Sequence, residues 1–107
     1  MRPQVKEYLN KFVDQFEQLN FDIDSLILFG SQAKGTAILS SDIDIAVVMD
    51  KHLSPQERGT LRDLGDEIDM RIKLDLFFTT QQALSNATDI FNTNKYIRDE
   101  GVVLWQR

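Results

Sequence analysis

Apolar residues recur at Val5, Leu9, Phe12, Val13, Phe16 and Leu19, with Lys6, Lys11, Asp14, Gln15 and Gln18 between them. This spacing predicts an amphipathic helix over residues 3–19, with Pro3 suited to its first turn. A turn over 20–25 leads to Leu26-Ile27-Leu28-Phe29, an unbroken apolar run of the kind a buried strand carries. Gly30 permits a tight turn after it, Ser31 reads as the N-cap of a short helix over 32–34, and Gly35 ends that helix. A loop over 36–41 precedes a second strand over 42–49. Ser54-Pro55-Gln56-Glu57 is a capping box with proline at the first helical position. The helix it opens is expected to reach Met70, burying Leu61, Leu64, Ile68 and Met70, with Gly59 and Gly65 weakening it. Residues 72–78 alternate strictly: Ile72, Leu74, Leu76 and Phe78 on one face, Lys73, Asp75 and Phe77 on the other. Thr79-Thr80-Gln81-Gln82 begins another helical stretch. Asp89–Glu100 reads as a last helix with Ile90, Phe91 and Ile97 inward, stopped by Gly101, and Val102–Trp105 as a closing strand.

These elements predict an α/β (α+β) fold: a small mixed sheet, helices packed mainly on one face, and a functional site at the exposed one. A length of 107 residues suits a single domain over 1–107. Apolar residues at 42% and charged residues at 27% are a globular composition. The net charge of −5 argues against direct binding of nucleic acid or anionic membrane, both of which begin with a basic surface. Phosphates bridged by a metal are still compatible with it. The absence of cysteine excludes disulfides, thiolate nucleophiles and cysteine–zinc sites. No stretch reads as a signal peptide or membrane span, so the expected location is the cytoplasm.

The second strand opens on Asp42-Ile43-Asp44, ten residues after Gly30-Ser31. In an extended chain Asp42 and Asp44 point to the same side, with Cα atoms roughly 7 Å apart. Two such carboxylates at the mouth of a core strand repel one another and resist burial unless a cation compensates. A hard divalent metal does so, because it prefers oxygen ligands. Asp75 interrupts an otherwise apolar strand and joins the pair if its strand lies next to theirs. Three converging carboxylates would hold two Mg²⁺ ions about 3.5–4 Å apart, the arrangement that serves in-line phosphoryl displacement. Gly30-Ser31, at a turn entering a helix, is placed to offer backbone N–H groups to phosphate oxygens.

Rival motifs fail on particular residues. A P-loop needs lysine where Thr36 stands, and a dinucleotide fingerprint needs glycine at Gln32. An EF-hand loop from Asp42 needs glycine at Val47 and glutamate at Leu53. The whole pattern resembles the DNA polymerase β-like nucleotidyltransferases: Gly-Ser, ten residues, Asp-x-Asp between apolar neighbours, then an apolar-Asp-apolar strand. Within them, Gly30-Ser31-x-Ala33-Lys34-Gly35 and Ser41-Asp42-Ile43-Asp44 resemble the minimal nucleotidyltransferases (MNT), antitoxin partners of HEPN-domain toxins. The resemblance implies that Asp42 and Asp44 bind metal, and that Asp75 is either a ligand of the catalytic metal or the base for the acceptor hydroxyl. Gly30 and Ser31 would hold the nucleotide phosphates. It further implies an Mg²⁺-dependent adenylyltransferase that moves AMP from ATP to a tyrosine of a HEPN toxin, since a chain this short is expected to lack an acceptor-recognition domain. Two alternatives stand beside it: a catalytically idle antitoxin that acts by occlusion, and a nucleotidyltransferase for a small-molecule acceptor. Gln32 departs from the arginine or tyrosine common at its position.

Other residues carry less. Lys34 is either a phosphate contact or a solvated lysine, and Phe77 either core or a wall of the nucleotide pocket. His52 reads as inert, and Trp105 as core or interface.

Overall fold

The chain orders itself, in the computed structural model describing residues 1–38 and 40–107, as α1 (Pro3–Leu19), β1 (Ser25–Phe29), α2 (Ser31–Lys34), β2 (Ile43–Met49), α3 (Pro55–Ile68), β3 (Leu74–Thr80), α4 (Gln81–Asn86), α5 (Thr93–Glu100) and β4 (Val102–Gln106). The four strands form one sheet in the order β3-β2-β1-β4. β1 runs antiparallel to both β2 and β4, while β2 and β3 are parallel, joined through α3. The sheet is therefore mixed, as expected. The expected loop over 36–41 includes Leu39, which lies outside the described residues.

Strand alternation divides the sheet into two faces. Ile43, Ile45, Val47 and Met49 of β2 join Leu26 and Leu28 of β1 in a cluster with Val5, Tyr8, Leu9, Phe12 and Phe16 of α1 and Leu61 and Leu64 of α3. The two long helices thus cover one face. On the other, Ile27, Ala46 and Val48 pack with Leu84 of α4 and Ile97 of α5, flanked by Phe29 and Phe77. The short helices cover only the part of this face that carries those residues. Asp44 and Asp75 lie on this second face, by the alternation of β2 and β3.

Local signals account for the element ends. Ser54 accepts from the Glu57 N–H and Glu57 accepts from the Ser54 N–H, closing the expected capping box over Pro55. Several boundaries differ from the sequence reading. β3 runs on through Thr79 and Thr80, where the sequence reading begins a helix, because Thr80 is still extended and caps α4 by accepting from the Ala83 N–H. α3 stops at Ile68 because Asp69 turns extended and accepts from both the N–H and the guanidinium of Arg71. This turn leaves Met70 82% exposed instead of buried and delays β3 to Leu74. Asp89 accepts from the Phe91 N–H and Asn92 from the Asn94 N–H, so two successive side-chain turns hold α5 back to Thr93. Ile90 and Phe91 consequently face solvent, where a helix from Asp89 would have turned them inward. Ser31 is not a cap: Gly30 takes the N-cap position and Ser31 is the first residue of α2.

Candidate functional site

The backbone builds the site at the end of the sheet where β1 finishes and β2 and β3 begin. Parallel register sets Asp44 beside Asp75, and antiparallel register sets Asp44 opposite Phe29. Asp42 stands one residue before β2, whose first N–H, from Ile43, donates to Lys73 O over 2.9 Å. The Lys73 ammonium lies 3.5 Å from Asp42 Oδ2, an exposed pair of little energetic weight. Asp44 is partly buried and Asp75 exposed. Burial raises the Asp44 carboxyl above its ordinary value, and the charges of Asp75 and Asp42 raise it further. Each of these causes disfavours the charged form of Asp44, which thus senses both neighbouring acids.

Gly30 fills the remaining side. Its φ of 75° and ψ of −156° belong to a region that is essentially glycine-only. A Cβ there would collide with Asp44 Oδ2. The turn therefore needs glycine twice, for its backbone angles and for the carboxylate pressed against it. Gly35, at φ 77°, closes α2 by donating its N–H to Ser31 O. Gln32 is buried at 5% exposure and lines two small clefts, with Arg2 in both and with Val5 and Ile43 in the second. It thus points toward α1, away from the acid face.

The site residues read from the sequence, Gly30, Ser31, Asp42, Asp44 and Asp75, all fall at this end of the sheet. An all-oxygen set of three like charges suits a hard divalent cation. Among the described residues, however, no three acidic or histidine side chains stand close enough to enclose one ion. The acids share an end of the sheet without closing on a point. Aromatic residues border them: Phe29 packs edge-on against Phe77 and Tyr96, with ring centroids 6.3 and 6.4 Å apart. Tyr96 has no sequence signal, because its neighbours come from distant elements. His52 is exposed, and Trp105 packs edge-on against Phe16 beside the core, as expected of a core or interface residue.

A family model described as "Polymerase beta, Nucleotidyltransferase" matches residues 8–101. The chain belongs to this nucleotidyltransferase family. Among solved structures, this nucleotidyltransferase is similar to a toxin–antitoxin complex with AMP-PNP, at 27% identity and a TM-score of 0.66, over 92% of this chain and 73% of that one. A toxin–antitoxin mutant carrying two aspartate-to-glutamate changes, two positions apart, matches at 25% identity and a TM-score of 0.66, over 92% and 73%. A Shewanella oneidensis complex of a tri-AMPylated HEPN toxin with its MNT antitoxin has the same fold, at 23% identity and a TM-score of 0.61, over 95% and 72%. The search of curated proteins finds no match.

Proposed function

We propose that the chain is an Mg²⁺-dependent protein adenylyltransferase, an antitoxin that transfers AMP from ATP to a tyrosine hydroxyl of a HEPN toxin in the cytoplasm. One observation carries the reading: the parallel register that sets Asp75 beside Asp44, whose carboxyl is raised by burial and then by the charges of Asp75 and Asp42. Three acids so placed have no structural use for their repulsion, whereas a cation would turn it into binding energy. The match to a complex holding AMP-PNP supports a nucleoside triphosphate, and the AMPylated toxin of a fold neighbour supports a protein hydroxyl as acceptor.

Asp42 and Asp44 would hold the metal, with Asp75 as further ligand or as proton acceptor. Bound Mg²⁺ would neutralise the triphosphate and lower the pKa of the attacking hydroxyl. Asp75, the exposed member, is open to an incoming acceptor and takes its proton if it serves as base. The Gly30 turn would present backbone to the phosphates without a side chain between them, and the Ser31 hydroxyl would lie at the same turn.

The test is to identify the protein that co-purifies with this chain and incubate the pair with ATP and Mg²⁺. The partner is expected to gain roughly 329 Da per event, the mass of AMP added with loss of pyrophosphate. Asp42→Asn, Asp44→Asn and Asp75→Asn should each lower transfer by at least about 10²-fold while the fold survives. A double Asp42→Asn/Asp44→Asn variant that protects against the toxin as well as the parent does would establish occlusion instead. Transfer to a small molecule, with no protein partner, would leave a nucleotidyltransferase of a different acceptor class.

A further inference from the structure

Lys34 closes α2, one turn after Gly30. Its N–H donates to Gly30 O over 3.1 Å, and residues four apart lie on one side of a helix. Gly30 itself abuts Asp44. A lysine beside such an acidic row has every electrostatic reason to fold onto a carboxylate. Among the described residues it pairs with none. Its ammonium instead lies over the Tyr96 ring, 4.9 Å from the centroid. Tyr96, half-buried on α5, is held edge-on by Phe29, and Phe29 is the ladder partner of Asp44. Ammonium and two rings therefore follow one another from α2 through α5 to β1, where the second ring's residue stands opposite Asp44 of β2 in the ladder.

We propose that Tyr96 is a positioning residue for nucleotide binding: its ring holds the Lys34 ammonium off the carboxylates, at the rim of the acid face, for the triphosphate. The inference rests on the nucleotidyltransferase reading above. An ammonium paired with Asp44 would spend the charge that a metal has to meet, and both groups would be withdrawn from the nucleotide. A ring face attracts the cation through its quadrupole without cancelling its charge, so Lys34 keeps its N–H donors for phosphate oxygens. The tyrosine hydroxyl has no part in this, which separates the proposal from any proton-transfer role for Tyr96.

Calorimetric titration of the full chain with ATP and Mg²⁺ tests it. Lys34→Gln is expected to raise the Kd about tenfold, Tyr96→Leu about three- to fivefold, and Tyr96→Phe less than about twofold, as loss of a partly exposed cation–ring contact implies. In a Lys34→Gln background Tyr96→Leu should add nothing further, since the ring acts only through the lysine. Melting curves of each variant show which are folded. Should Tyr96→Leu lower stability, the coupling to Lys34 and the behaviour of Tyr96→Phe still decide. An equal loss from Tyr96→Leu with and without Lys34, or a Tyr96→Phe as weak as Tyr96→Leu, overturns the proposal. Unchanged affinity in Lys34→Gln overturns it while leaving the nucleotidyltransferase reading intact. A parent chain that binds no ATP overturns both.

Discussion

Burial and the charges of Asp75 and Asp42 hold the Asp44 carboxyl above the ordinary carboxylate range. The folded state therefore keeps this proton to a higher pH than the unfolded chain does. Linkage fixes the sign: stability from this group falls as pH rises from its ordinary value, about 3.8, through the raised one, and the cost is constant above that. In metal-free buffer Asp44→Asn should accordingly melt higher than the parent near neutral pH, and the gap should close on acidification. Paired melts from neutral pH down through the ordinary carboxylate range check this. A gap that widens as pH falls would remove the repulsion argument. The aspartates of the Asp-x-Asp pair were legible from spacing alone, because side-chain alternation is a local property. Asp75 was legible only on the condition that its strand lay next to β2, and Tyr96 not at all, since its contacts with Phe29 and Lys34 depend on how α5 crosses the sheet.

At the scale of elements, α1 and α3 meet where Tyr8 faces Gly65. The Tyr8 hydroxyl is buried with no hydrogen-bond partner among the described residues, and burial with the charges of Asp66 and Asp69 pushes its pKa up to about 12. A lone buried hydroxyl costs about 1–3 kcal/mol, so Tyr8→Phe should leave stability unchanged or raise it. A Cβ on Gly65 would lie 2.6 Å from Leu74 Cδ2 and 2.7 Å from Tyr8 Oη. Gly65→Ala should therefore cost about 1–3 kcal/mol despite its better helix propensity, and less in the Tyr8→Phe background. Urea melts of the two single variants and the double check both statements, and strict additivity would contradict the shared contact. Helix starts were readable wherever the cap was unambiguous, as at Ser54. At Asp89 and Asn92 two capping side chains follow one another, and only the tertiary fold selects the second, which is why Ile90 and Phe91 went outward.

For the molecule as a whole, a ligand that binds only the native state stabilises it by mass action. ATP with Mg²⁺ at about a hundredfold excess over Kd should contribute about 2.7 kcal/mol, a rise of several degrees in Tm. The Asp42→Asn/Asp44→Asn variant should show little of that rise, and an equal shift in both proteins would place the nucleotide away from the acids. The sheet order bears on a different moment in the life of the chain. β1 ends at the turn that presses Gly30 against Asp44, and it is hydrogen-bonded on one side by β2 and on the other by β4, the fourth strand in chain order. A chain leaving the ribosome thus exposes all three aspartates, Asp42, Asp44 and Asp75, while one edge of β1 still has no partner. Long-range pairing of this kind is slow and cannot precede the arrival of residues 102–106. β1, the strand next to Asp44, completes its ladder only after residues 102–106 dock, so a nascent chain carries the three acids before it carries their whole frame.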